Sequence, residues 1–189
     1  KHLTADQMAS AQREISISEF FAKNRHLLGF DNPQKALLTT IKEAVDNSLD
    51  ACEEAGILPD ILIEIHQIQD DRFKVIVQDN GPGIVKAQVP NIFGKLLYGS
   101  KFHSRRQSRG QQGIGISAAG LYGQMTTGKG PEIISKVSRK KAHHFAIQMD
   151  STKNKPMITR DDTLDSWHLK HGTRFEVTLE ATYKRGKGS

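Results

Sequence analysis

Hydrophobic residues recur at three- and four-residue steps between positions 33 and 55, the spacing of an amphipathic helix. Asn32 and Pro33 provide an N-cap and a first-turn proline, and Gly56 provides a stop. The apolar stripe consists of Leu37, Leu38, Ile41, Ala44, Val45, Leu49 and Cys52, with the small Ser48 among them. The pattern therefore predicts a helix over 33–55 that presents one face to a core.

The opposite face of this predicted helix is polar. It carries Glu43, Asn47, Asp50 and Glu54 at helical spacing. A carboxylate beside an amide can orient a water molecule and bind a hard cation, whereas most polar helix faces only meet solvent. The rest of the chain decides between these two interpretations.

The remaining patterns predict a small set of further elements. Helices are expected from the capping-box pair Ser16 and Glu19, over 86–97 and over 114–122, and strands over 61–68, 73–78, 132–137, 143–149 and 173–179. Helices early in the chain and strands late in it predict an α+β fold, a two-layer α/β sandwich whose mostly antiparallel sheet is covered by helices on one face. We expect an N-terminal arm at 1–24, one domain at 25–183 and a polar tail at 184–189.

Composition narrows the class of protein. The chain has 189 residues, 37% of them hydrophobic, which supports one domain with a substantial core. It contains no apolar run of about 18 residues and no signal-peptide order at its start, so neither a membrane span nor secretion is expected. Cys52 is the single cysteine, which favours a buried thiol in a reducing compartment.

The charge of the chain favours a polyanionic partner. The formal net charge is +6 and the pI is about 9.4. The basic residues form two clusters, Lys101, Arg105, Arg106 and Arg109 in a polar stretch at 98–112, and Lys136, Arg139, Lys140 and Lys141. Aromatic residues are not interleaved with them, so a stacking platform for single strands is not indicated. The histidines lack metal-ligand spacing, and we expect no structural zinc.

Two glycine patterns imitate familiar nucleotide-binding motifs. Residues 123–129 match most of a P-loop, but Gly130 replaces the required Ser or Thr and no buried strand precedes it. Residues 113–118 imitate a dinucleotide fingerprint, but the polar residues before them cannot form its strand. We reject both interpretations.

The glycines fit a different arrangement better. Asp79, at the end of a predicted strand, is followed by Gly81 and Gly83, and ionised Asp79 can accept hydrogen bonds from an exocyclic amine such as that of adenine. A second glycine loop, Gly110-x-x-Gly113-x-Gly115, leads into a helix start, where free N–H groups bind anions. Each motif alone is equally compatible with an ordinary turn or loop.

Taken in order, these motifs resemble the Bergerat ATP-binding fold of the GHKL superfamily, which includes gyrase, a heat-shock chaperone, histidine kinases and MutL. The motifs are Glu43-x-x-x-Asn47-x-x-Asp50, Asp79-x-Gly81-x-Gly83, Gly110-x-x-Gly113-x-Gly115 and Gly172-Thr173. More narrowly, residues 17–24, 42–51, 56–60, 95–101 and 108–119 look like the B subunit of archaeal-type DNA topoisomerase VI. The likeness spans nearly the whole chain.

The resemblance implies ATP and Mg²⁺ as ligands and a role for each matching residue. Glu43 would be the general base that polarises the attacking water, and Asn47 would provide a side-chain oxygen for Mg²⁺. Asp79 would recognise the adenine amine above Gly81 and Gly83, and Thr173 would join its network through water. The residues that would wrap the phosphates are Ser100, Lys101, Arg109, Gly110, Gln111, Gln112, Gly113, Ile114, Gly115, Ile116 and Ser117. Asp50 matches the pattern, with either a direct or a structural role.

The resemblance also implies partners. ATP binding would drive homodimerisation and gate the passage of duplex DNA, which a separate A subunit would cleave, in the cytoplasm at the nucleoid. The family's B subunit continues into a domain with a lysine that reaches the γ-phosphate. We therefore expect this chain to be a fragment that binds ATP and hydrolyses it slowly.

Two other functions stay open. The chain is compatible with another GHKL ATPase, MutL-like or histidine-kinase-like, although His2 and His26 lack the setting of a phospho-accepting histidine. It is also compatible with a basic module that binds nucleotide or DNA without catalysis. Glu43 argues against that module, since a pure binder has no need of a positioned base.

Overall fold

The helix predicted over residues 33–55 is present with those bounds. The computed structural model describes residues 17–94, 115–150 and 155–183. Within these ranges the helices are α1 (Ile17–Leu28), α2 (Pro33–Ala55), α3 (Val89–Phe93) and α4 (Gly115–Thr127), with a 3₁₀ turn at Lys86–Gln88. The strands are β1 (Ile61–Gln69), β2 (Arg72–Asp79), β3 (Glu132–Lys136), β4 (Ala142–Asp150), β5 (Lys155–Leu164) and β6 (Gly172–Glu180).

Both ends of α2 are fixed by the residues that the sequence indicates. The side chain of Asn32 accepts a 2.8 Å hydrogen bond from the backbone N–H of Lys35, so it satisfies one of the free donors of the first turn. Gly56 ends the helix in the left-handed conformation, with φ 67°, where a side chain would be strained. These caps fix where α2 begins and where it ends.

The six described strands form one sheet in the order β1-β2-β6-β3-β4-β5, and every neighbouring pair is antiparallel. One row of paired residues crosses four strands through Val77, Phe175, Ile133 and Phe145. All four side chains are buried because this face of the sheet lies under the helices. The predicted α+β sandwich with helices on one face is therefore confirmed.

Helix α1 is anchored in the core by aromatic side chains. Phe21 on α1, Phe30 after it and Tyr122 on α4 are each no more than 1% exposed. The rings of Phe30 and Tyr122 stack with centroids 5.0 Å apart, and the Tyr122 hydroxyl donates to the carbonyl of Glu180 at 2.8 Å. Helix α1 also runs across the predicted boundary between arm and domain at residue 24, and the division itself stays a prediction.

Helix α4 is longer than the predicted 114–122 because a glycine lets it continue along the sheet. A Cβ on Gly123 would lie 2.6 Å from the carbonyl oxygen of Thr178 on β6. The bare backbone therefore packs directly against the strand, and the helix continues to Thr127. Residues 123–127 are helical, which agrees with the rejection of a P-loop at this position.

Three other expectations need correction. Strand β5 has no counterpart among the predicted strands, because its charged, exposed sequence lacks a regular alternation. Of the helix predicted over 86–97, residues 95–97 lie outside the described residues. The described part is instead a 3₁₀ turn and the short α3, in which Pro90 lacks an N–H and Gly94 follows the last turn. Leu38 is 69% exposed and does not belong to the buried stripe, whereas Thr40, which the stripe omits, is buried.

Candidate nucleotide-binding site

The side chain of Asp79 is buried at the end of β2 and is held by three donors. The hydroxyl of Ser48 on α2 donates to Oδ2 at 2.7 Å. The backbone N–H groups of Gly81 and Thr173 donate to Oδ1 at 2.9 and 3.2 Å. A helix, a turn and strand β6 thus converge on one carboxylate. Because an ionised carboxylate has about four acceptor positions, one remains for a further N–H donor.

Burial and hydrogen bonding act on this carboxylate in opposite directions. Burial raises the pKa of Asp79, and the hydrogen bonds from Ser48, Gly81 and Thr173 work against that rise. The three donors favour the ionised form, which can only accept hydrogen bonds. The position is therefore suited to recognise an amine rather than a carbonyl group.

The turn after Asp79 requires glycine for reasons of packing. Gly83 has φ +76°, and a Cβ there would collide with the carbonyl oxygen of Lys136 on β3. The carbonyl oxygen of Gly81 lies 2.6 Å from Nδ1 of His171 in the β5–β6 connection. Strand β3 and this connection thus hold the turn from two sides, and Gly83 itself borders the adjacent cavity.

Strand β3 contributes a residue that the motifs do not include. The hydroxyl of Ser135 accepts a 2.8 Å hydrogen bond from the N–H of Ile84 and lies 3.1 Å from the hydroxyl of Thr173. Thr173 therefore contacts Asp79 directly through its backbone N–H, while its side chain bonds to Ser135. The sequence signal for Ser135 is weak, because a serine in an alternating strand is usually a surface residue.

The polar face of α2 lines a cavity of about 580 Å³ beside Asp79. Asn47, Asp50 and Glu54 project into it, as the helical spacing predicts. The other lining residues are Ala44, Ser48, Ala51, Val77, Asp79, Pro82, Gly83, Ile84, Asn91, Ile92, Phe93, Ile116, Thr173 and Phe175. The rings of Phe93 and Phe175 are nearly parallel, with centroids 5.6 Å apart. The cavity is large enough for a small molecule and combines apolar walls with a few polar groups.

Glu43 lies one helical turn before Asn47 and touches the start of α4. A Cβ on Gly115 would collide with the Glu43 carboxylate, so the glycine allows this close approach. Burial raises the pKa of Glu43, Lys42 lowers it, and Asp46 raises it further. A half-buried carboxyl group with a raised pKa next to the N-terminus of a helix has the properties of a general base near an anion site.

Helix α4 carries the described part of the predicted phosphate loop. Gly115 opens the helix and Ile116 lines the cavity. Ser117 is buried, and its hydroxyl donates to the carbonyl of Ile92 at 3.0 Å, so its side chain is held within the protein. The other predicted members, Ser100, Lys101, Arg109, Gly110, Gln111, Gln112, Gly113 and Ile114, lie outside the described residues.

A family model for the histidine kinase-, DNA gyrase B- and HSP90-like ATPases matches residues 32–183. This range begins at the N-cap of α2 and ends after β6, so it includes the whole described site. The chain belongs to this ATPase family. The predicted superfamily and the prediction of ATP as ligand are thereby confirmed.

Within the ATPase family, the chain is similar in sequence to one group of curated proteins. The chain is 54% identical to the B subunit of type 2 DNA topoisomerase 6 from Methanococcoides burtonii over 184 residues, 97% of this chain and 29% of that protein. The corresponding protein of Methanosarcina barkeri is also 54% identical, over 97% of this chain and 30% of its own length. That of Archaeoglobus fulgidus is 54% identical over 94% of this chain and 29% of its own length.

These matches confirm the resemblance to the B subunit and set its extent. The chain spans about 30% of the length of the curated relatives that it matches. The matches concern sequence, and the individual roles assigned to Glu43, Asn47, Asp79 and the glycines stay predictions.

A smaller cavity, of about 290 Å³, lies on the face of the sheet away from the helices. It is lined by Glu132, Ile134, His144, Trp167, His168, Arg174 and Glu176. None of the predicted ATP-site residues borders it, so it is separate from the site of this ATPase domain. Among the described helices, none combines the length and the apolar character that crossing a membrane would need.

Proposed function

We propose that this chain is the ATP-binding and ATP-hydrolysing part of a type 2 DNA topoisomerase 6 B subunit. The observation that carries the proposal is the buried Asp79, held by three donors with one acceptor position left beside a cavity of about 580 Å³. The sequence identity of 54% to B subunits selects this member of the ATPase family.

In this proposal the adenine amine donates to Asp79, and the ring lies between the turn at Gly83 and the wall formed by Phe93 and Phe175. The phosphates then extend along α2 toward Glu43 and the N-terminus of α4. Glu43 would accept the proton of the attacking water, since its raised pKa brings it closer to neutral pH. The free N–H groups of the first turn of α4 would bind the phosphate charge.

Mg²⁺ fits this arrangement as an ion held mainly by phosphates and water. Asn47 lines the cavity, one turn from Glu43, and its amide oxygen is the kind of ligand that Mg²⁺ prefers. No group of three or more His, Cys, Asp or Glu side chains suited to a metal occurs among the described residues. When bound, the ion would neutralise charge on the phosphates.

The proposal also includes a larger assembly with a second B subunit, an A subunit and duplex DNA. ATP binding would favour a homodimer of the B subunit, and the dimer would gate duplex DNA cleaved by a separate A subunit at the nucleoid. A first test is sedimentation of the 189-residue chain with and without a non-hydrolysable ATP analogue. A mass that stays that of one chain at saturating analogue would contradict dimerisation by this part alone.

The test of the nucleotide site is calorimetric titration of the chain with Mg²⁺ and a non-hydrolysable ATP analogue. We expect saturable binding by the wild type, its loss in Asp79→Ala, and unchanged binding in Asp70→Ala, a control in the exposed β1–β2 turn. A guanine analogue should bind poorly, because it presents a carbonyl oxygen where adenine presents the amine. Equal binding of both nucleotides, or binding that survives in Asp79→Ala, would refute the site.

A further inference from the structure

A dense group of cations lies on the connection between β3 and β4, outside the nucleotide cavity. The side chains of Arg139, Lys140 and Lys141 are exposed, and Lys136 lies at the end of β3. Lys136 Nζ donates to the carbonyl of Lys170 at 2.7 Å, and Lys141 Nζ is 3.1 Å from Asp165. These two contacts join the hairpin to the β5–β6 connection, so that Lys170 belongs to the same surface.

We define the basic hairpin surface as Lys136, Arg139, Lys140, Lys141 and Lys170. Asp165 is the single acidic residue within the two connections that build it, residues 137–141 and 165–171. In the described parts of the chain, Arg139, Lys140 and Lys170 have no carboxylate within ion-pair distance. The ion pair of Lys141 with Asp165 is highly exposed and is therefore worth little. The surface thus carries a strong, largely uncompensated positive charge.

The backbone at the tip of the hairpin adds a second observation. The N–H of Lys140 donates to the carbonyl of Val137 at 3.1 Å, which closes a tight turn. Arg139 stands inside this turn with φ 64°, a conformation in which glycine would avoid a cost of roughly 1–2 kcal/mol. A guanidinium group is held at the apex in spite of that cost, and strained residues of this kind occur at functional sites.

The ATP phosphates do not account for these cations. Lys136 contacts Gly83, next to Asp79, so the hairpin lies at the adenine end of the site. The proposed phosphate position is at the other end, near Glu43 and Gly115. The basic hairpin surface is therefore available to a second polyanion.

We infer that the basic hairpin surface binds the phosphate backbone of duplex DNA. Protein interfaces depend on aromatic and apolar anchors. The turn residues 137–141 include no aromatic side chain, and Trp167 of the other connection lines the smaller cavity on the sheet, with its ring 5.3 Å from that of His168. Lysine, arginine and serine are the side chains that contact DNA phosphates, and such contacts position a protein without reading sequence. The inference rests on the proposed function, because a topoisomerase must hold DNA close to its ATP-dependent gate.

The test compares two double variants with the same net charge. Arg139→Gly with Lys140→Ala removes two cations from the surface, and glycine suits the left-handed backbone. Lys23→Ala with Lys35→Ala removes two exposed cations from the helical layer, where each pairs with a nearby carboxylate. Binding of a fluorescent duplex of about 30 base pairs is measured by anisotropy across a range of salt concentrations.

We expect the hairpin variant to bind the duplex about tenfold more weakly and to lower the salt-dependence slope by about 1.8, which corresponds to two lost phosphate contacts. The helical variant should bind like the wild type. Equal weakening of both variants would mean attraction to net charge alone and would overturn the inference, as would a wild type that does not bind. A hairpin variant that keeps DNA affinity but loses affinity for polyglutamate would overturn it in favour of an acidic protein partner.

Calorimetry with the ATP analogue separates this inference from the proposed function. The hairpin variant should bind nucleotide like the wild type, because its two altered side chains do not line the cavity. Loss of DNA affinity with intact nucleotide binding supports the surface. Loss of both would indicate a folding defect, which a lowered melting temperature of the variant would identify. In that case the single variant Lys140→Ala is tested, and a DNA affinity equal to that of the wild type would overturn the inference.

Discussion

The hydroxyl of Ser48 donates a 2.7 Å hydrogen bond to Oδ2 of Asp79, across the junction between α2 and β2. Both residues are buried. This bond opposes the rise in pKa that burial imposes on Asp79 and fixes the orientation of its carboxylate. Ser48 occurs in the sequence as a small residue in an apolar stripe, and its contact with Asp79 depends on the tertiary arrangement.

Ser48→Ala should weaken nucleotide binding, and more so at acidic pH. Without this donor the pKa of Asp79 rises further, so a larger fraction of the carboxyl group is protonated as the pH falls. A hydrogen bond to a charged group is worth about 1.5–3 kcal/mol. Because this bond also exists without nucleotide, that value is the upper limit of the loss, and the affinity should drop by no more than about ten- to hundredfold. Calorimetric titrations between about pH 5 and 8 measure this loss. Ser138→Ala, at an exposed turn, is the control, and an affinity ratio that does not change with pH would contradict the explanation.

Glu43→Gln should stop hydrolysis and leave nucleotide binding intact. The amide keeps the size of the side chain but cannot accept the proton of water, and a general base contributes roughly 10²–10⁴-fold in rate. Phosphate release measures turnover, and titration of the non-hydrolysable analogue measures binding in the same variant. Turnover equal to that of the wild type would show that another group acts as the base.

The same variant should be more stable than the wild type at neutral pH when nucleotide is absent. The folded pKa of Glu43 is raised, so the folded state holds its proton to a higher pH than the unfolded state does. The free energy of unfolding therefore falls as the pH rises from the pKa that Glu43 has in the unfolded state to the higher pKa that it has in the folded state. Glu43→Gln lacks this contribution. Thermal melts at about pH 4.5 and 7.5 should show a stabilisation that is larger at the higher pH, and a stabilisation that does not change with pH would contradict this explanation.

Much of the fold follows from local signals. Helix α2 has strong signals at both ends, Asn32 with Pro33 and Gly56, and it is observed with its predicted bounds. Strands β1 and β2 follow from regular runs of apolar residues around a polar turn. Strand β5 could not be found in this way, because it is an exposed edge strand and its partner β4, rather than its own composition, keeps it extended.

The candidate site was predictable where one element carries several of its residues. Asn47, Asp50 and Glu54 share one face of α2, and helical spacing alone brings them to the same cavity. Ser48 and Ser135 contact Asp79 and Thr173 across long sequence separations, 31 residues in the case of Ser48 and Asp79. Such contacts depend on how the sheet and the helices pack, which no local pattern contains.

Gly115→Ala should reduce turnover without a comparable loss of stability. The new methyl group would collide with the Glu43 carboxylate, so the base or the start of α4 must move. Alanine is favoured over glycine in helices by about 1 kcal/mol, which offsets part of the strain in the fold. Phosphate release and thermal melts give the two quantities.

A double-mutant cycle identifies the residue through which Gly115 acts. If the methyl group works by displacing Glu43, adding Glu43→Gln to Gly115→Ala should lower turnover no further than Glu43→Gln alone. Effects of the two changes on turnover that simply multiply would show that Gly115 acts independently of Glu43, for example on phosphate binding.

Phe21→Ala should destabilise the domain by about 3–5 kcal/mol, the range for removing a fully buried aromatic side chain. Phe21 is 1% exposed, and its ring centroid lies 6.0 Å from that of Phe30 and 6.3 Å from that of Tyr122. Leu27→Ala on the same helix is the control, because Leu27 is 67% exposed and should change stability by no more than about 0.5 kcal/mol. Urea unfolding of both variants measures the difference. Equal stability of Phe21→Ala and the wild type would mean that α1 behaves as a separable arm. The expected loss of stability would make α1 part of the ATPase core and place the domain boundary before residue 21.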